Sequence, residues 1–317
     1  MGKILVTGSI AYDLLLATDG AFTDALKADA LEKLSVSFLT PHFKRHHGGT
    51  AANISWNVKL LGGDPLLVGT VGEDGGAYLA LLKERGIDTR HVAALSGHVT
   101  ATAIIATDSG ERQITFFHPG ADGLGTWPDL ADEREEIAWA IVSARDVKMM
   151  ITAMDWCVSH KIPLLFDPGQ QVHSFGDGEL KRAVAHASAV VVNEYESQLL
   201  QQRLKVSEQE LAKRIPLFIV TLGEKGFILY DDGKKSVFPA CTPDQVVNPT
   251  GAGDAFRGGL LKGLTSGWSK QHAAMLGASL GSFVVEQEGT LLHQLDMGEV
   301  KRRAKEVYGV RLETLAR

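Results

Sequence analysis

Several features that mark other protein classes are absent from this sequence. Only two cysteines occur, Cys157 and Cys241, which excludes a disulfide framework and a cysteine-rich zinc site. No apolar run approaches the ~18 residues that a membrane-spanning helix needs. The net charge is −6 and the pI is near 6.0, whereas a sequence-independent nucleic-acid binder needs a basic surface. Since the N-terminus also lacks a signal-peptide pattern, the sequence predicts a soluble, cytoplasmic protein that binds neither nucleic acid nor membrane.

Two common nucleotide-binding motifs are missing as well. The pattern Gly-x-x-x-x-Gly-Lys-Ser/Thr does not occur, which excludes a P-loop protein. The dinucleotide pattern Gly-x-Gly-x-x-Gly also fails at its best candidate, because Phe256 occupies the position of the third glycine after Gly251 and Gly253. A dinucleotide fold would moreover carry that pattern after its first strand.

Glycine, by contrast, is abundant: 34 of 317 residues, against about 7% in average proteins. Eight of these glycines lie in residues 48–76 and six in residues 251–267. Glycine is concentrated where a backbone must approach a ligand or adopt a left-handed conformation. The two segments are therefore the first places to look for a binding site.

Apolar patterning predicts an α/β protein. Short apolar strands alternate with segments at helical spacing, which is typical of a parallel sheet covered on both faces. Residues 99–118 differ, because two strand-like segments joined by Asp108-Ser109-Gly110 predict a β-hairpin in a separate small sheet. Strands are predicted at 4–6, 35–39, 65–70, 163–166, 189–192, 217–221 and 244–247, and helices at 50–61, 78–85, 179–187, 255–264 and 273–285.

The segment from Asn248 to Phe256 is the sharpest chemical feature. Gly251-Ala252-Gly253 at a helix start leaves backbone amides free to bind an anion, an arrangement strengthened by the helix dipole. Asp254 beside such an anion site suits a base that takes a proton from a hydroxyl about to be phosphorylated. The alternative is a glycine C-cap followed by an aspartate N-cap, which the local pattern fits equally well.

A second glycine pair opens the predicted helix at Thr50. Gly48 and Gly49 allow close backbone approach to a polar ligand, and Asn53 offers both a donor and an acceptor. Asp13, shortly after the first strand, suits a pair of sugar hydroxyls. A glycine turn before a helix and a lone loop aspartate are also common without any function, so these features gain weight only together.

Considered together, the motifs resemble those of the PfkB-type carbohydrate kinase family over nearly the whole chain. Stretches around Asp13, Phe116 and Asp167 are most similar to bacterial adenosine kinases. The motifs that carry the family resemblance are, in chain order, Gly48-Gly49-x-x-x-Asn53 with Leu61-Gly62-Gly63, Gly69 to Gly76, Asn193-x-x-Glu196, Thr221-x-Gly223-x-x-Gly226 and Thr250 to Phe256.

The resemblance implies a ribokinase-like fold, in which a doubly wound, mostly parallel sheet flanked by helices carries a small β-sheet lid. Residues 1–14, 47–97 and 119–317 would form the large domain that binds nucleotide and substrate. Residues 15–46 and 98–118 would form the lid. Within this family we expect either a monomer or a homodimer formed through the lid, since an uncovered strand edge invites pairing.

The resemblance also implies roles for individual residues. Asp254 would be the catalytic base, Arg112 would reach the phosphates when the lid closes, and Glu196 would hold Mg²⁺ through water. For Arg112 the alternative is a solvated side chain beside a turn. Phe116 would contact the substrate by stacking on a nucleobase, with Phe117, Phe38 and Tyr12 as further candidates, although any of them could be a core residue. The remaining assignments are Gly251, Ala252 and Gly253 for the phosphoryl group, Asp13, Gly48, Gly49 and Asn53 for the ribose hydroxyls, and Asn193, Glu196, Thr221, Gly223 and Gly226 for ATP and its metal.

The function that follows from the resemblance is an ATP- and Mg²⁺-dependent kinase, a phosphotransferase with an alcohol group as acceptor. It would transfer the γ-phosphoryl group to the 5′-hydroxyl of a nucleoside, with adenosine as the predicted acceptor. Two alternatives stay open: a kinase for ribose, fructose or a broader range of nucleosides, and a non-catalytic nucleotide-binding regulator.

Overall fold

The computed structural model describes residues 2–26 and 35–313. Its strands are β1 (Lys3–Thr7), β2 (Ala11–Ala17), β3 (His42–Gly48), β4 (Pro65–Gly72), β5 (Asp88–Leu95), β6 (Ala101–Thr107), β7 (Gln113–His118), β8 (Ile137–Ser143), β9 (Leu164–Asp167), β10 (Ala189–Asn193), β11 (Leu217–Thr221), β12 (Phe227–Asp231) and β13 (Lys234–Phe238). Its helices are α1 (Phe22–Ala25), α2 (Thr50–Leu60), α3 (Gly76–Glu84), α4 (Val147–Ser159), α5 (Asp177–His186), α6 (Glu194–Leu204), α7 (Glu208–Arg214), α8 (Ala252–Thr265), α9 (Lys270–Val284) and α10 (Met297–Tyr308). None of these helices has the length and apolar composition needed to cross a bilayer.

A nine-stranded sheet forms the centre of the molecule, in the order β13-β12-β11-β10-β9-β8-β1-β4-β5. All neighbouring strands from β11 to β5 are parallel, and β12 and β13 add an antiparallel edge. The strands are short and apolar because helices cover both faces, as expected for a parallel sheet. In β10, Val190 and Val192 pack on one side of the sheet, while Val191 packs on the other side with Ile54 of α2 and Leu260 of α8.

A second sheet contains four strands in the order β3-β2-β6-β7, and we call it the small sheet. Strands β6 and β7 form the hairpin predicted for residues 99–118. The small sheet begins at Ala11, within the stretch predicted for the large domain, so the predicted boundary between residues 14 and 15 falls inside β2. The division into domain and lid otherwise stays a prediction.

Two predicted strands are wrong. Residues 35–39 form no strand, and neither do residues 244–247. Val246 and Val247 are 69% and 46% exposed, and the amides of Val247 and Asn248 both donate to the carbonyl of Val285. A β-branched pair favours a strand only where another strand is available to pair with it, and here the backbone instead follows the end of α9.

Candidate active site

Polar side chains follow the parallel strands along one edge of the large sheet. Ser143 and Asp167 are paired at the ends of β8 and β9, and Asn193 and Thr221 are paired at the ends of β10 and β11. The chain connections change direction between β1 and β8, which is the point where open α/β sheets bind ligands at the carboxyl ends of their strands. This edge is therefore the expected location of the site.

The N-terminus of α8 carries the predicted anion site. Gly251 caps the helix in a left-handed conformation with φ +87° and ψ −10°. A Cβ at this position would lie 2.9 Å from Cβ of Thr290, so both the conformation and the space require glycine. The amides that follow, at Ala252 and Gly253, lie in the first turn, where the amide groups have no acceptors within the helix. The amide of Ala252 makes a long hydrogen bond, of 3.4 Å, to the carbonyl of Pro249 before the helix. The geometry is suited to binding an anion.

Asp254 lies in that first turn and is held by a residue from a distant helix. Its Oδ2 accepts a hydrogen bond of 2.8 Å from Nδ2 of Asn53, in α2. Burial raises the pKa of Asp254 to about 7, which exceeds the opposing effects of the Asn53 hydrogen bond and of the Arg257 charge. The carboxyl group therefore changes between acid and base near neutral pH, as a general base requires.

A buried ion pair lies next to this carboxyl group. Nη2 of Arg257 is 2.6 Å from Oδ1 of Asp167, with side chains only 10% and 4% exposed. Nη1 of Arg257 also donates to the carbonyl of Gly253, and Ser143 donates its hydroxyl to Oδ2 of Asp167 at 2.5 Å. The arginine thus ties the first turn of α8 to the ends of β8 and β9.

The predicted sugar site comes together from β2 and β3. The carboxyl group of Asp13 covers the Cα of Gly48, because a Cβ there would lie 2.4 Å from Oδ2 of Asp13. Gly49 follows with φ +90° and opens α2, the helix that carries Asn53. Burial raises the pKa of Asp13 to about 6, and the charge of Asp13 adds to the burial that raises the pKa of Asp254. The two aspartates therefore belong to one site.

The register of the small sheet shows which aromatic ring lies on the face of Asp13. Phe117 is paired with Ala103, and Ala103 with Asp13, so all three side chains lie on one face. Phe116 is paired with Ile104 and lies on the opposite face. Because strand side chains alternate between faces, Phe116 cannot share the face of Asp13. A substrate contact by Phe116 stays a prediction, and Phe117 is the ring that lies on the face of Asp13.

The predicted nucleotide side lies at the ends of β10 and β11. Asn193 and Glu196 form a capping box at the start of α6, in which each side chain accepts a hydrogen bond from the other residue's amide, at 2.8 and 2.9 Å. Thr221 donates its hydroxyl to the carbonyl of Val192. Gly223 has φ +60° and open space around its Cα, whereas Gly226 has φ +101° and packs against the carbonyl of Phe238. Gly226 is thus explained by the turn into β12.

The comparison with known proteins decides the family. The pfkB family carbohydrate kinase profile matches residues 1–295. The chain belongs to this family. A nucleoside kinase from Methanothermobacter thermautotrophicus is 30% identical over 307 residues, which cover 94% of this chain and 97% of that protein. As a pfkB family kinase, this protein is a phosphotransferase with an alcohol group as acceptor.

Solved structures confirm the ribokinase-like fold. The structure of Burkholderia thailandensis nucleoside kinase in complex with inosine is 32% identical, with a TM-score of 0.84 over 98% of this chain and all of that one. The adenosine kinase from Sinorhizobium meliloti shares the fold, with a TM-score of 0.75 at 22% identity over 96% of this chain and 99% of that chain. The predicted family and fold are confirmed, while adenosine as acceptor stays a prediction.

Arg112 of this pfkB kinase is held in place within its own hairpin turn. Its Nη2 lies 2.8 Å from Oδ2 of Asp108, a carboxyl group with no exposed surface, and its Nε donates to the same oxygen. The turn is at the end of β6 remote from Ala101, about 20 Å along the strand at the usual rise per residue. In this arrangement Arg112 contacts Asp108 and the structure does not bring it to Asp254.

At the carboxyl ends of the strands, the described residues would hold Mg²⁺ only together with oxygens of a bound ligand. In residues 2–26 and 35–313, no group of three or more His, Cys, Asp or Glu side chains is placed to hold a metal. Glu196 is 6% exposed, and burial raises its pKa. One such carboxylate matches the usual way in which enzymes bind Mg²⁺, through one or two carboxylates, waters and substrate phosphates.

Three residues that the motifs did not single out join the site. Asp167 carried a signal, since an aspartate directly after a buried strand lies at the ligand-binding edge of a parallel sheet. Arg257 follows Asp254 by three positions, which places both on one side of α8. Thr290 had no local signal, because the hydrogen bonds of its hydroxyl are with residues more than 200 positions away.

Proposed function

We propose that this protein is an ATP-dependent nucleoside kinase that phosphorylates the 5′-hydroxyl of a ribonucleoside. The observation that carries the proposal is the position of Asp254. Its carboxyl group lies in the first turn of α8, beside the amides of Gly251, Ala252 and Gly253, and is held by Asn53. A base next to an anion site is the arrangement that phosphoryl transfer to a hydroxyl requires.

In the proposed reaction Asp254 accepts the proton of the 5′-hydroxyl. The oxygen then forms a bond to the γ-phosphorus, and the bond from that phosphorus to the bridging oxygen of ADP breaks. The amides at the start of α8 stabilise the negative charge on the transferred group, with the helix dipole acting in the same direction. Arg257 holds the carbonyl of Gly253 and thereby fixes the first turn that supplies these amides.

The acceptor would lie between Asp13 and the small sheet. A carboxylate accepts two hydrogen bonds, which suits the neighbouring 2′- and 3′-hydroxyls of a ribose. Glycine at position 48 leaves room for this carboxyl group, because a Cβ there would lie 2.4 Å from Oδ2 of Asp13. Phe117 lies on the same face and offers an apolar ring to a base. The full-length similarity to nucleoside kinases supports a nucleoside over a free sugar. Adenosine is the first acceptor to test, beside inosine.

ATP would lie across the ends of β10 and β11. Asn193, Thr221 and Gly223 line that edge, and Glu196 would hold Mg²⁺ through water. When bound with ATP, Mg²⁺ neutralises charge on the phosphates and orients them. The exposed N-terminus of α8 lies on the same edge of the sheet as these residues, which supports transfer between the two ligands.

The experiment is a kinase assay with ATP and Mg²⁺, using adenosine, inosine, ribose and fructose as acceptors. We expect kcat/KM for the better nucleoside to exceed that for either sugar by at least about tenfold, the factor that ~1.4 kcal/mol of transition-state binding gives. A preference for a free sugar would refute the nucleoside assignment and support a sugar kinase. Failure to phosphorylate any of the four, with nucleotide binding retained, would favour a regulator.

The matched variants are Asp254→Asn and Asp155→Asn. We expect Asp254→Asn to lower kcat by about 10²–10⁴-fold, the usual contribution of general base catalysis, with nucleoside binding retained. Asp155 is an exposed aspartate of α4 and should tolerate the same change with full activity. Full turnover by Asp254→Asn would show that the base has been assigned to the wrong residue.

A further inference from the structure

Thr290 lies at the centre of the candidate site without belonging to any motif. It follows α9 in a loop segment and is 2% exposed. Its hydroxyl is 2.8 Å from Oδ1 of Asn53 and 3.0 Å from the carbonyl oxygen of His47. Its Cβ and Cγ2 fill the space that a side chain at Gly251 would need. One small side chain therefore contacts the helix of Asn53, the end of β3 and the cap of α8.

The Thr290 hydroxyl and the carboxyl group of Asp254 together favour one orientation of the Asn53 amide. An amide has one accepting end and one donating end, and its orientation follows from its hydrogen-bond partners. In the observed orientation the hydroxyl, which has a single proton, lies closer to Oδ1 of Asn53, at 2.8 Å, than to the carbonyl oxygen of His47, at 3.0 Å, and donates to Oδ1. The amino end of Asn53 is then directed to Oδ2 of Asp254, at 2.8 Å. The reversed amide would place an oxygen against that carboxylate.

We propose that Thr290 is a positioning residue for phosphoryl transfer, which orients Asn53 toward Asp254 and sets the distance between this base and the backbone at Gly251. The inference rests on the proposed function, because it assigns Thr290 a role only if Asp254 is the base. It goes beyond that function by naming the group that aligns the base with the anion site.

The loop that carries Thr290 is itself anchored. Nε1 of Trp56, in α2, donates to the carbonyl of Leu292 at 2.7 Å, and Nη1 of Arg85 donates to the carbonyl of His293 at 3.0 Å. The indole of Trp56 is buried. Because Trp56 and Asn53 are in the same helix, α2 holds both the loop and the amide that the loop orients. Thr290 is thus fixed relative to Asn53.

The charges around Asp254 make the hydrogen bond from Asn53 important. The charge of Arg257, in the same helix as Asp254, lowers the pKa of Asp254, whereas the charges of Asp167 after β9 and Asp13 in β2 raise it. Tyr78 of α3 is buried near both aspartates, and their charges raise the pKa of its hydroxyl. Among these groups only Asn53 and Arg257 favour the carboxylate. Loss of the oriented amide should therefore shift the titration of Asp254 to higher pH.

The test compares Thr290→Val, which removes the hydroxyl, with Thr290→Ser, which keeps it. For Thr290→Val we expect kcat to fall by about tenfold and the acid limb of the kcat/KM profile to move to higher pH by about one unit. Both changes correspond to the free energy of about one hydrogen bond to a charged group. KM for ATP should change by less than about twofold, since no ATP contact is removed. Thr290→Ser should restore both the rate and the profile.

Two outcomes would overturn the inference. A wild-type rate and pH profile in Thr290→Val would show that the hydroxyl does not position the base. A Thr290→Ser variant as impaired as Thr290→Val would assign the effect to the methyl group that packs on Gly251. Asp254→Asn is measured in the same assay. If Asp254→Asn keeps full turnover, the proposed function fails. If Asp254→Asn is inactive while Thr290→Val is unaffected, only the role of Thr290 is overturned.

Discussion

Removing the charge of Arg257 should destabilise the protein far more than removing that of a surface arginine. In Arg257→Met, the carboxyl group of Asp167 would stay 4% exposed with the Ser143 hydroxyl as its remaining partner. Breaking a buried pair by removing one partner costs about 3–5 kcal/mol, because a buried charge is left uncompensated. Since a folded protein is stable by only about 5–15 kcal/mol, this loss is a large part of the total.

The measurement is the free energy of unfolding from urea denaturation, followed by circular dichroism. The matched control is Arg302→Met, since Arg302 is 47% exposed and pairs with Glu299 and Glu306 on the surface of α10. Such pairs contribute about 0–1 kcal/mol. The double variant Arg257→Met with Asp167→Asn removes both charges, and we expect it to recover about 2 kcal/mol relative to additivity. A loss in Arg257→Met no larger than in Arg302→Met, or strict additivity in the double variant, would refute the argument.

Four further predictions concern the same site. Because burial raises the pKa of Asp254 to about 7, kcat/KM should fall as the pH is lowered below 7. A value of kcat/KM that does not change down to pH 5 would contradict the assignment of Asp254 as the base. The same carboxyl group destabilises the folded protein once it is ionised, so the Tm of Asp254→Asn should exceed that of the wild type by an amount that grows from about pH 4 to pH 7 and is constant above pH 7. An equal difference in Tm at all pH values would exclude titration of Asp254 as the cause. Gly251→Ala should lower kcat at least tenfold, because a non-glycine residue in the left-handed conformation costs ~1–3 kcal/mol of conformational energy and its Cβ would meet Thr290. An unchanged kcat would show that the cap of α8 tolerates a side chain. Phe117→Ala should raise KM for the nucleoside severalfold while Phe116→Ala leaves it unchanged, and the reverse result would contradict the register argument.

The alternation of strands and helices along the chain could be predicted because each strand is a short apolar run. The strand at Leu217–Thr221 was predicted with its observed bounds, since four consecutive apolar residues, Leu217 to Val220, fit a strand buried on both faces. Residues 244–247 failed for the opposite reason. Their strand propensity was real, but whether a strand forms depends on a neighbour, and the neighbour there is the end of α9.

The sequence by itself determined the local parts of the site: the left-handed cap at Gly251, the amides after it, and the capping box of Asn193 and Glu196. Each of these depends on residues within a few positions of one another, so a local pattern contains all the information that the geometry needs. The same holds for the order of the family motifs.

Tertiary structure alone decided which groups meet. Asn53 and Asp254 are 201 positions apart, and Asn53 and Thr290 are 237 apart, so no spacing in the sequence predicts that one amide joins them. It also placed Phe117, and not Phe116, on the face of Asp13, because a shift of one residue in strand register exchanges the two faces of a sheet. Contacts between distant segments depend on how whole layers pack, and that packing placed the base, its amide and the anion site together.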